Sequence, residues 1–310
     1  MYKVVIIMST YNGAKYLREQ LDSIVNQTEQ DKFILIRDDG STDETLNILE
    51  EYQKKGLLKW YKGKNLRSAK SLIDCLRNAP EAKYYAIADQ DDYWKPEKLE
   101  KALEMLEKEK GKRILYCSNL EVVDKDLNYI EMYHSNKLSD DIDYNLENIV
   151  SRKYIFCGPT MVFDKHFAEL IKEYKTGDIL CYDRWYLFLA AIAGKIVYDN
   201  NAYIKYRQHT SNTTGFKKTR NWKERFLGKK VFIEGKEKYI RWNYANCYCE
   251  NLLKDYNNYL DNKQIKLLKA FINFENNFMD RLYLIFNKDL SFGSLKRNIY
   301  VRLMILLGKN

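Results

Sequence analysis

Proline and histidine are nearly missing from this chain, with 3 of each in 310 residues. With so little proline, the loops must be punctuated by Gly, Asn and Asp. So few histidines also leave no zinc set, since Cys247 and Cys249 are too close together and too far from any histidine to form one. The six cysteines (Cys75, Cys117, Cys157, Cys181, Cys247 and Cys249) are scattered through apolar segments and read as buried thiols of an intracellular protein. No uncharged apolar run reaches the roughly 20 residues that span a bilayer, and the N-terminal residues lack the basic-then-apolar order of a secretory signal. A cytoplasmic chain is therefore expected. Internal repeats, Gly/Ser linkers and low-complexity tracts are also lacking. Apolar residues are plentiful: 45% hydrophobic content fills one large core or two smaller ones and excludes disorder.

Charge is unevenly distributed. Residues 216–310 hold 20 Lys/Arg against 9 Asp/Glu, a balance of +11, whereas residues 1–215 hold 32 against 34, a balance of −2. This asymmetry predicts two regions, 1–215 and 216–310, with a boundary near "TTGFKKTRNWKERF".

The first region alternates short apolar runs with helical patterns, as a mostly parallel sheet covered by helices requires. "KVVIIMS" predicts a buried strand, and "GAKYLREQLDSIVNQT" predicts a helix with Leu17, Leu21, Ile24 and Val25 on one face. "FILIRDD" is the second strand. "STDETLNILEEY" follows it, with Ser41 and Glu44 spaced as a capping box. "LLKWY" with "AKSLIDCLRNA" makes the third pair, and "YYAIAD" is the fourth strand. In "KPEKLEKALEMLEKEK", Pro96 stands where a first helical turn tolerates it. "RILYCSN" and "YIFCGPTMVFD" read as further strands and "YDRWYLFLAAIAGK" as a helix. Beyond residue 220 the pattern is helical, with the long stretches "KVFIEGKEKYIRWNYANCYCENLLKDY" and "KQIKLLKAFINFENNFMDRLYLIF".

Three strand ends carry distinctive polar sets: "STYNG" (9–13), "RDDGSTD" (37–43) and "DQDD" (89–92). Ligands of such sheets bind at the carboxyl ends of the strands. Carboxylates one residue apart there can aim at one hard cation, which relieves their repulsion, and oxygen ligation suits Mg²⁺ or Mn²⁺ bridging to phosphate. Each set alone also reads as a solvated loop or a helix cap. Capping preference does not readily place all three at the ends of the first, second and fourth strands.

These segments, with "CYDRWYLFLAAIAGKIVYDNNAYIKYRQHTSNTTG" downstream, resemble the inverting family 2 glycosyltransferases of GT-A fold. That fold is a Rossmann-like mixed sheet flanked by helices, which binds nucleotide-diphospho-sugars. The most similar subgroup contains rhamnosyltransferases of bacterial surface polysaccharide synthesis. The resemblance covers residues 1 to about 215, which would form the catalytic domain. It implies that Thr10, Tyr11 and Asn12 line the nucleotide pocket and that Asp38 or Asp39 hydrogen-bonds the pyrimidine. Asp91 would ligate a Mn²⁺ or Mg²⁺ ion, with Asp89 at the metal, ribose or donor sugar, and Asp92 and Trp94 would shape the sugar pocket. Asp183 matches the catalytic base, which takes the acceptor proton in a single displacement. Its alternative is a plain helix N-cap. His209 would complete the metal shell or contact phosphate, and Arg207 would add charge compensation; a histidine in a polar surface loop is the competing reading. His134 and His166 carry no motif and read as structural. "YRQH" stands where processive members carry "QxxRW", which favours single-sugar addition.

The implied donor is dTDP-rhamnose, with a UDP-hexose as the alternative. The implied acceptor is a lipid-linked oligosaccharide or polysaccharide at the inner membrane face. A nucleotide-sugar-binding protein without turnover and a structural adaptor are the rivals from other classes. Trp222 and Phe226 among basic residues, and an apolar C-terminal segment with Lys296, Arg297 and Arg302, suit either an interfacial helix on anionic lipid or a helical appendage that packs on the catalytic domain or forms a homo-oligomer. No nucleic-acid recognition motif accompanies the charge.

Overall fold

A computed structural model describes residues 1–135, 138, 143–151, 156–175, 177–209, 246–292 and 295–308. The chain divides into two compact units, the first formed by residues 1–142, 156–174 and 181–215, the second by 143–155, 175–180 and 216–310. The segment "TTGFKKTRNWKERF", with Trp222 and Phe226, and the first half of the helical stretch that follows it lie outside the described residues.

The first unit is built on one nine-stranded mixed sheet. Strands β1 (Tyr2–Thr10), β2 (Lys32–Asp38), β3 (Lys59–Lys62) and β4 (Ala82–Ala88) run parallel in the order β3-β2-β1-β4. Val4 to Met8 and Ala86 to Ala88 are buried, because helices cover both faces of these central strands. Helices α1 (Ala14–Val25), α2 (Thr45–Lys54) and α3 (Arg67–Asn78) connect them. The chain runs outward from β1 to β3 and then crosses back to β4, so the strand order reverses between β1 and β4. Crevices form at the carboxyl ends of strands at such a reversal. The sheet continues through β8 (Val162–Asp164), β6 (Ile114–Val123) and β9 (Lys195–Arg207) to the short β5 (Tyr93–Trp94), with β7 (Tyr129–Met132) beside β6. Helices α4 (Lys98–Lys108), α6 (Lys165–Lys172) and α7 (Tyr182–Ala193) complete this unit.

In the second unit α5 (Leu146–Val150) joins α8 (residues 246–255), α9 (Asn262–Asn273), α10 (Phe278–Phe286) and α11 (Leu295–Leu306). Its core includes Leu252, Tyr256, Leu267, Leu268, Phe271 and Leu284. The stretch 263–286 is two helices, α9 and α10, rather than one. Asn277 starts the second by accepting the N–H groups of Met279 (2.9 Å) and Asp280 (3.2 Å).

Three further local expectations change. Ser41 and Glu44 form no capping box, because the Ser41 hydroxyl is drawn to Asp38 (2.5 Å); Asp43 accepts the Thr45 N–H instead. Pro96 precedes α4 by two residues. Among the described residues of "YIFCGPTMVFD" (156–164), only Val162–Asp164 is a strand, preceded by a 3₁₀ turn at Gly158–Thr160 whose Pro159 lacks a ladder donor.

Helix α1 has a second register beneath its apolar face. Gln20, Ser23 and the following Gln27 are buried and receive the backbone of the loop after β4. Gln20 Nε2 donates to the Asp89 carbonyl (2.9 Å), Ser23 Oγ accepts the Trp94 N–H (3.1 Å), and Gln27 binds the Lys95 carbonyl (2.8 Å) and the Leu99 N–H (3.1 Å). Removing one side chain would leave buried backbone groups unmatched, at roughly 1–3 kcal/mol each. Gln27→Leu is accordingly expected to lower stability by about 2–4 kcal/mol in urea unfolding, and an unchanged transition midpoint would refute this role for the polar face.

Candidate active site

The carboxyl ends of β1, β2, β4 and β9 and the start of α7 hold most of the residues singled out in the sequence, in two networks. The first surrounds Asp38 and Asp39. Asp38 is buried and accepts the Gly40 and Ser41 N–H groups (2.9 Å each), the Ser41 hydroxyl and the Thr10 hydroxyl (3.1 Å). With four donors on two oxygens, it shapes the turn and has no capacity left for a nucleobase. Asp39 is paired with the Arg37 guanidinium, accepts Ser71 Oγ (2.7 Å) on Oδ1, and accepts the Leu66 N–H (3.0 Å) on Oδ2. Asn12 joins this network from β1. It adopts φ +48°, its N–H donates to Ser41 Oγ (2.9 Å), and its Oδ1 accepts the Thr42 N–H (2.8 Å). Asparagine tolerates this left-handed conformation better than most residues. Tyr11, 49% exposed, stands at the tip.

The second network gathers Asp89, Asp91, Asp92, Asp183, Arg207 and His209. Tyr182 Oη donates to Asp89 Oδ1 at 2.9 Å, which ties the end of β4 to the first turn of α7. The Tyr182 ring lies against Gly158, where a Cβ would meet it at 2.1 Å, so a side chain at 158 would displace that tyrosine. Asp183 is in the first turn of α7, and the N-cap is Cys181; the N-cap reading of Asp183 is thereby replaced. Asp183 Oδ1 accepts the Arg184 N–H (2.6 Å) and the Cys181 thiol (2.7 Å). Burial and the Asp183 charge push the Cys117, Cys157 and Cys181 thiols up, so these neighbours stay protonated and inert. None of the six cysteines is in a disulfide.

Asp91 Oδ2 lies 2.8 Å from His209 Nε2, with side-chain exposures of 19% and 11%, and the imidazole packs on the Tyr16 ring. Burial, then the charges of Asp91 and Asp183, push the Asp89 carboxyl up to about 7. Asp92 is raised well above its ordinary range by burial and by Asp91 and Asp89; its Oδ1 accepts the Arg207 N–H (3.1 Å), and its Oδ2 is buried without a hydrogen-bond partner. The site thus concentrates negative charge from three chain segments.

Several expected roles move from the pocket to its supports. Arg207 is buried, donates to the carbonyls of Asp91 (2.9 Å) and Lys125 (2.6 Å), pairs with Glu19 and lies over the Tyr16 ring. It braces the loop rather than facing a phosphate. Trp94 is fully buried, with Lys98 Nζ 3.6 Å above its ring, and supports the loop from behind. Burial in turn lowers Lys98 to about 7. Sequence reading missed Gln20, Ser23, Gln27, Tyr182 and Gln90. The i, i+3, i+7 spacing of the first three, one helical face of α1 and the residues after it, was the available signal.

Among the described residues no three His, Cys, Asp or Glu side chains form a ready cage for a metal. The Asp91 and His209 pair, with Asp89 near it, instead fits an ion that takes its remaining ligands from phosphate and water, as Mg²⁺ and Mn²⁺ do.

The glycosyltransferase RP339 of Rickettsia prowazekii is 29% identical over 219 residues, covering 68% of this chain and 65% of that protein, so the chain spans just under two thirds of that relative. The dTDP-rhamnosyl transferase RfbG of Shigella flexneri is 29% identical over 229 residues, covering 67% of this chain and 73% of RfbG. Among solved structures, Staphylococcus aureus TarS 1–349 in complex with UDP-GlcNAc superposes with a TM-score of 0.57 at 18% identity, covering 93% of this chain and 77% of that one. The mannosyltransferase PcManGT of Pyrobaculum calidifontis, in complex with GDP-Man and Mn²⁺, gives 0.52 at 15% identity, covering 99% and 85%. These likenesses establish the GT-A-like fold. The profile of Glycosyl transferase family 2 matches residues 5–169, over half of the chain, which therefore belongs to that family.

Proposed function

We propose that this glycosyltransferase works by a metal-assisted, inverting single displacement, with Asp183 as the base. The carrying observation is the 2.9 Å bond from Tyr182 to Asp89, which supports a single pocket shared by the base and the acidic loop. The acceptor hydroxyl attacks the anomeric carbon of the donor, the bond from that carbon to the diphosphate oxygen breaks, and the acceptor proton passes to Asp183. Asp91 and His209, with Asp89, would hold a divalent ion, whose chemistry is to offset charge on the departing diphosphate. Tyr11 and Asn12 would receive the nucleoside beside Asp39, whose Oδ2 retains a lone pair after accepting Leu66.

For the donor, the likeness to RfbG supports a dTDP-sugar such as dTDP-rhamnose, and the TarS complex is the ground for testing UDP-sugars beside it. A screen of nucleotide sugars with Mn²⁺ and with Mg²⁺ identifies the donor and the preferred ion. For the acceptor, α11 supports the lipid-linked reading. Leu295, Ile299, Leu303 and Leu306 recur at i, i+4, i+8 and i+11, all exposed, with Leu307 and Lys296 beside them. Arg302, by contrast, turns inward to donate to the carbonyls of Asn287 (3.0 Å) and Leu290 (2.9 Å). No described helix is long and apolar enough to cross a membrane. An exposed apolar helix face within a region of charge +11 supports peripheral contact with anionic lipid and hence a lipid-linked acceptor.

Asp183→Asn is expected to lower kcat by about 10²–10⁴-fold without weakening donor binding in calorimetry; retained turnover would remove Asp183 from the base role. Asp91→Ala and His209→Ala should each raise the Mn²⁺ concentration needed for half-maximal rate, and unchanged metal titrations would refute their assignment. The double variant Ile299→Glu/Leu303→Glu should cosediment far less with vesicles containing phosphatidylglycerol. If it instead dissociates an oligomer in light scattering while vesicle binding persists, the face is a subunit contact.

A further inference from the structure

Gln90 stands between Asp89 and Asp91, yet its side chain takes no part in the acidic cluster. It turns across the crevice to the loop after β1. There Oε1 accepts the Tyr11 N–H at 3.0 Å and Nε2 donates to the Tyr11 carbonyl at 3.2 Å. A primary amide that engages both backbone groups of one residue reproduces the pairing a neighbouring strand would offer. It does so where that pairing has run out, since the β1–β4 register ends at Met8 opposite Ala88. Gly13 makes room for it: a Cβ at that position would lie 2.2 Å from Gln90 Oε1 and 2.5 Å from Cδ.

The consequence is mechanical. Tyr11 is held by Gln90, and the next residue, Asn12, is held by Ser41 and Thr42 of the Asp38/Asp39 turn. The loop that Gln90 belongs to is held in turn by Gln20 at the Asp89 carbonyl and by Arg207 at the Asp91 carbonyl. Gln90 therefore joins the two loops directly, at the strand-order reversal between β1 and β4, whereas the other tie between the networks runs along α1 from Asp43 and Thr45 to Gln20. Loss of the Gln90 amide removes the direct link and leaves that longer one.

We infer that Gln90 is a positioning residue that couples the nucleoside half of the site to the metal and diphosphate half, so that nucleotide and divalent ion bind cooperatively. This rests on the nucleotide-sugar reading proposed above. Gln90 touches neither reacting atom, so its effect appears as coupling between ligands rather than as loss of the base.

The full chain and its Gln90→Ala, Gln90→Met, Gly13→Ala and Gly13→Ala/Gln90→Ala variants test this with two readouts. The first uses no ligand. Hydrogen exchange at the Tyr11 amide should accelerate about 10-fold or more in both Gln90 variants, as for a local opening, while Ile6 and Ile7 in β1 stay protected. The second is calorimetric titration of UDP and dTDP with and without Mn²⁺. In the wild-type chain Mn²⁺ should tighten nucleotide binding by about 10-fold, and in both Gln90 variants that factor should fall to about 3-fold or less, the contact of the ion with the diphosphate keeping the rest, while metal-free nucleotide affinity is kept. Gly13→Ala, which forces Gln90 aside, should match the Gln90 variants, and the double variant should be no worse than Gln90→Ala, because the new methyl enters vacated space.

Gln90→Met is nearly the same size, so full coupling in that variant would overturn the inference in favour of plain packing. Full coupling in Gln90→Ala, or additive losses in the double variant, would overturn it as well. If the wild-type chain binds neither nucleotide, the donor reading fails and the inference with it. If the wild-type chain binds nucleotide and metal cooperatively and Gln90→Ala does the same, only the inference fails.

Discussion

Asp89, Asp91 and Asp92 are packed into four residues at the end of a buried strand, and the arrangement of the first unit follows from the need to hold them there. Like charges at low exposure repel, and each loses hydration, which is why Asp89 and Asp92 are both pushed upward. Such a loop would relax outward unless its backbone were fastened. The fold supplies fasteners from three directions: the buried amides and hydroxyl of α1, the Arg207 guanidinium from the end of β9, and the Tyr182 hydroxyl from α7. The charge itself is only partly compensated within the protein. That residue of negative potential is of the kind that attracts cations.

The two polar networks differ in kind. Around Asp38 and Asp39 most acceptor capacity is used by hydroxyls, a guanidinium and backbone N–H groups, which makes a rigid turn that presents Tyr11 and Asn12. Around Asp91 and Asp183 the carboxylates are partly accessible and close to groups that titrate. The first network is therefore rigid, and the second keeps uncompensated charge. The helical second unit has another character, with apolar side chains on α11 facing outward and Arg302 turned in as a helix cap.

Much of this was legible in the residues. Runs such as "KVVIIMS" and "YYAIAD" are continuous and β-branched or aromatic, and only a doubly covered parallel strand accommodates them. The polar sets that follow them marked the strand ends correctly. Less was legible where polar side chains choose between partners. Ser41 has the spacing of a capping residue, yet Asp38 competes for its hydroxyl and wins. Asp92, Trp94 and Arg207 have the composition of a ligand pocket but are buried supports, because a loop carrying so much charge needs them beneath it. The stretch 263–286 has an unbroken apolar period, and only the Asn277 side chain, by capping a new start, divides it.

What the sequence determined by itself was the order of strands and helices, the class of fold, and the chemical identity of the acidic cluster, because these depend on local periodicity and on residue type. What the tertiary structure decided was which carboxylates face the pocket and which are consumed in holding it. It also revealed that Gln90, a residue of no apparent consequence between two aspartates, reaches Tyr11 across the crevice. Hydrogen-bond partners 79 positions apart leave no periodic trace in a chain; they are selected only when packing brings the two loops within about 3 Å of each other.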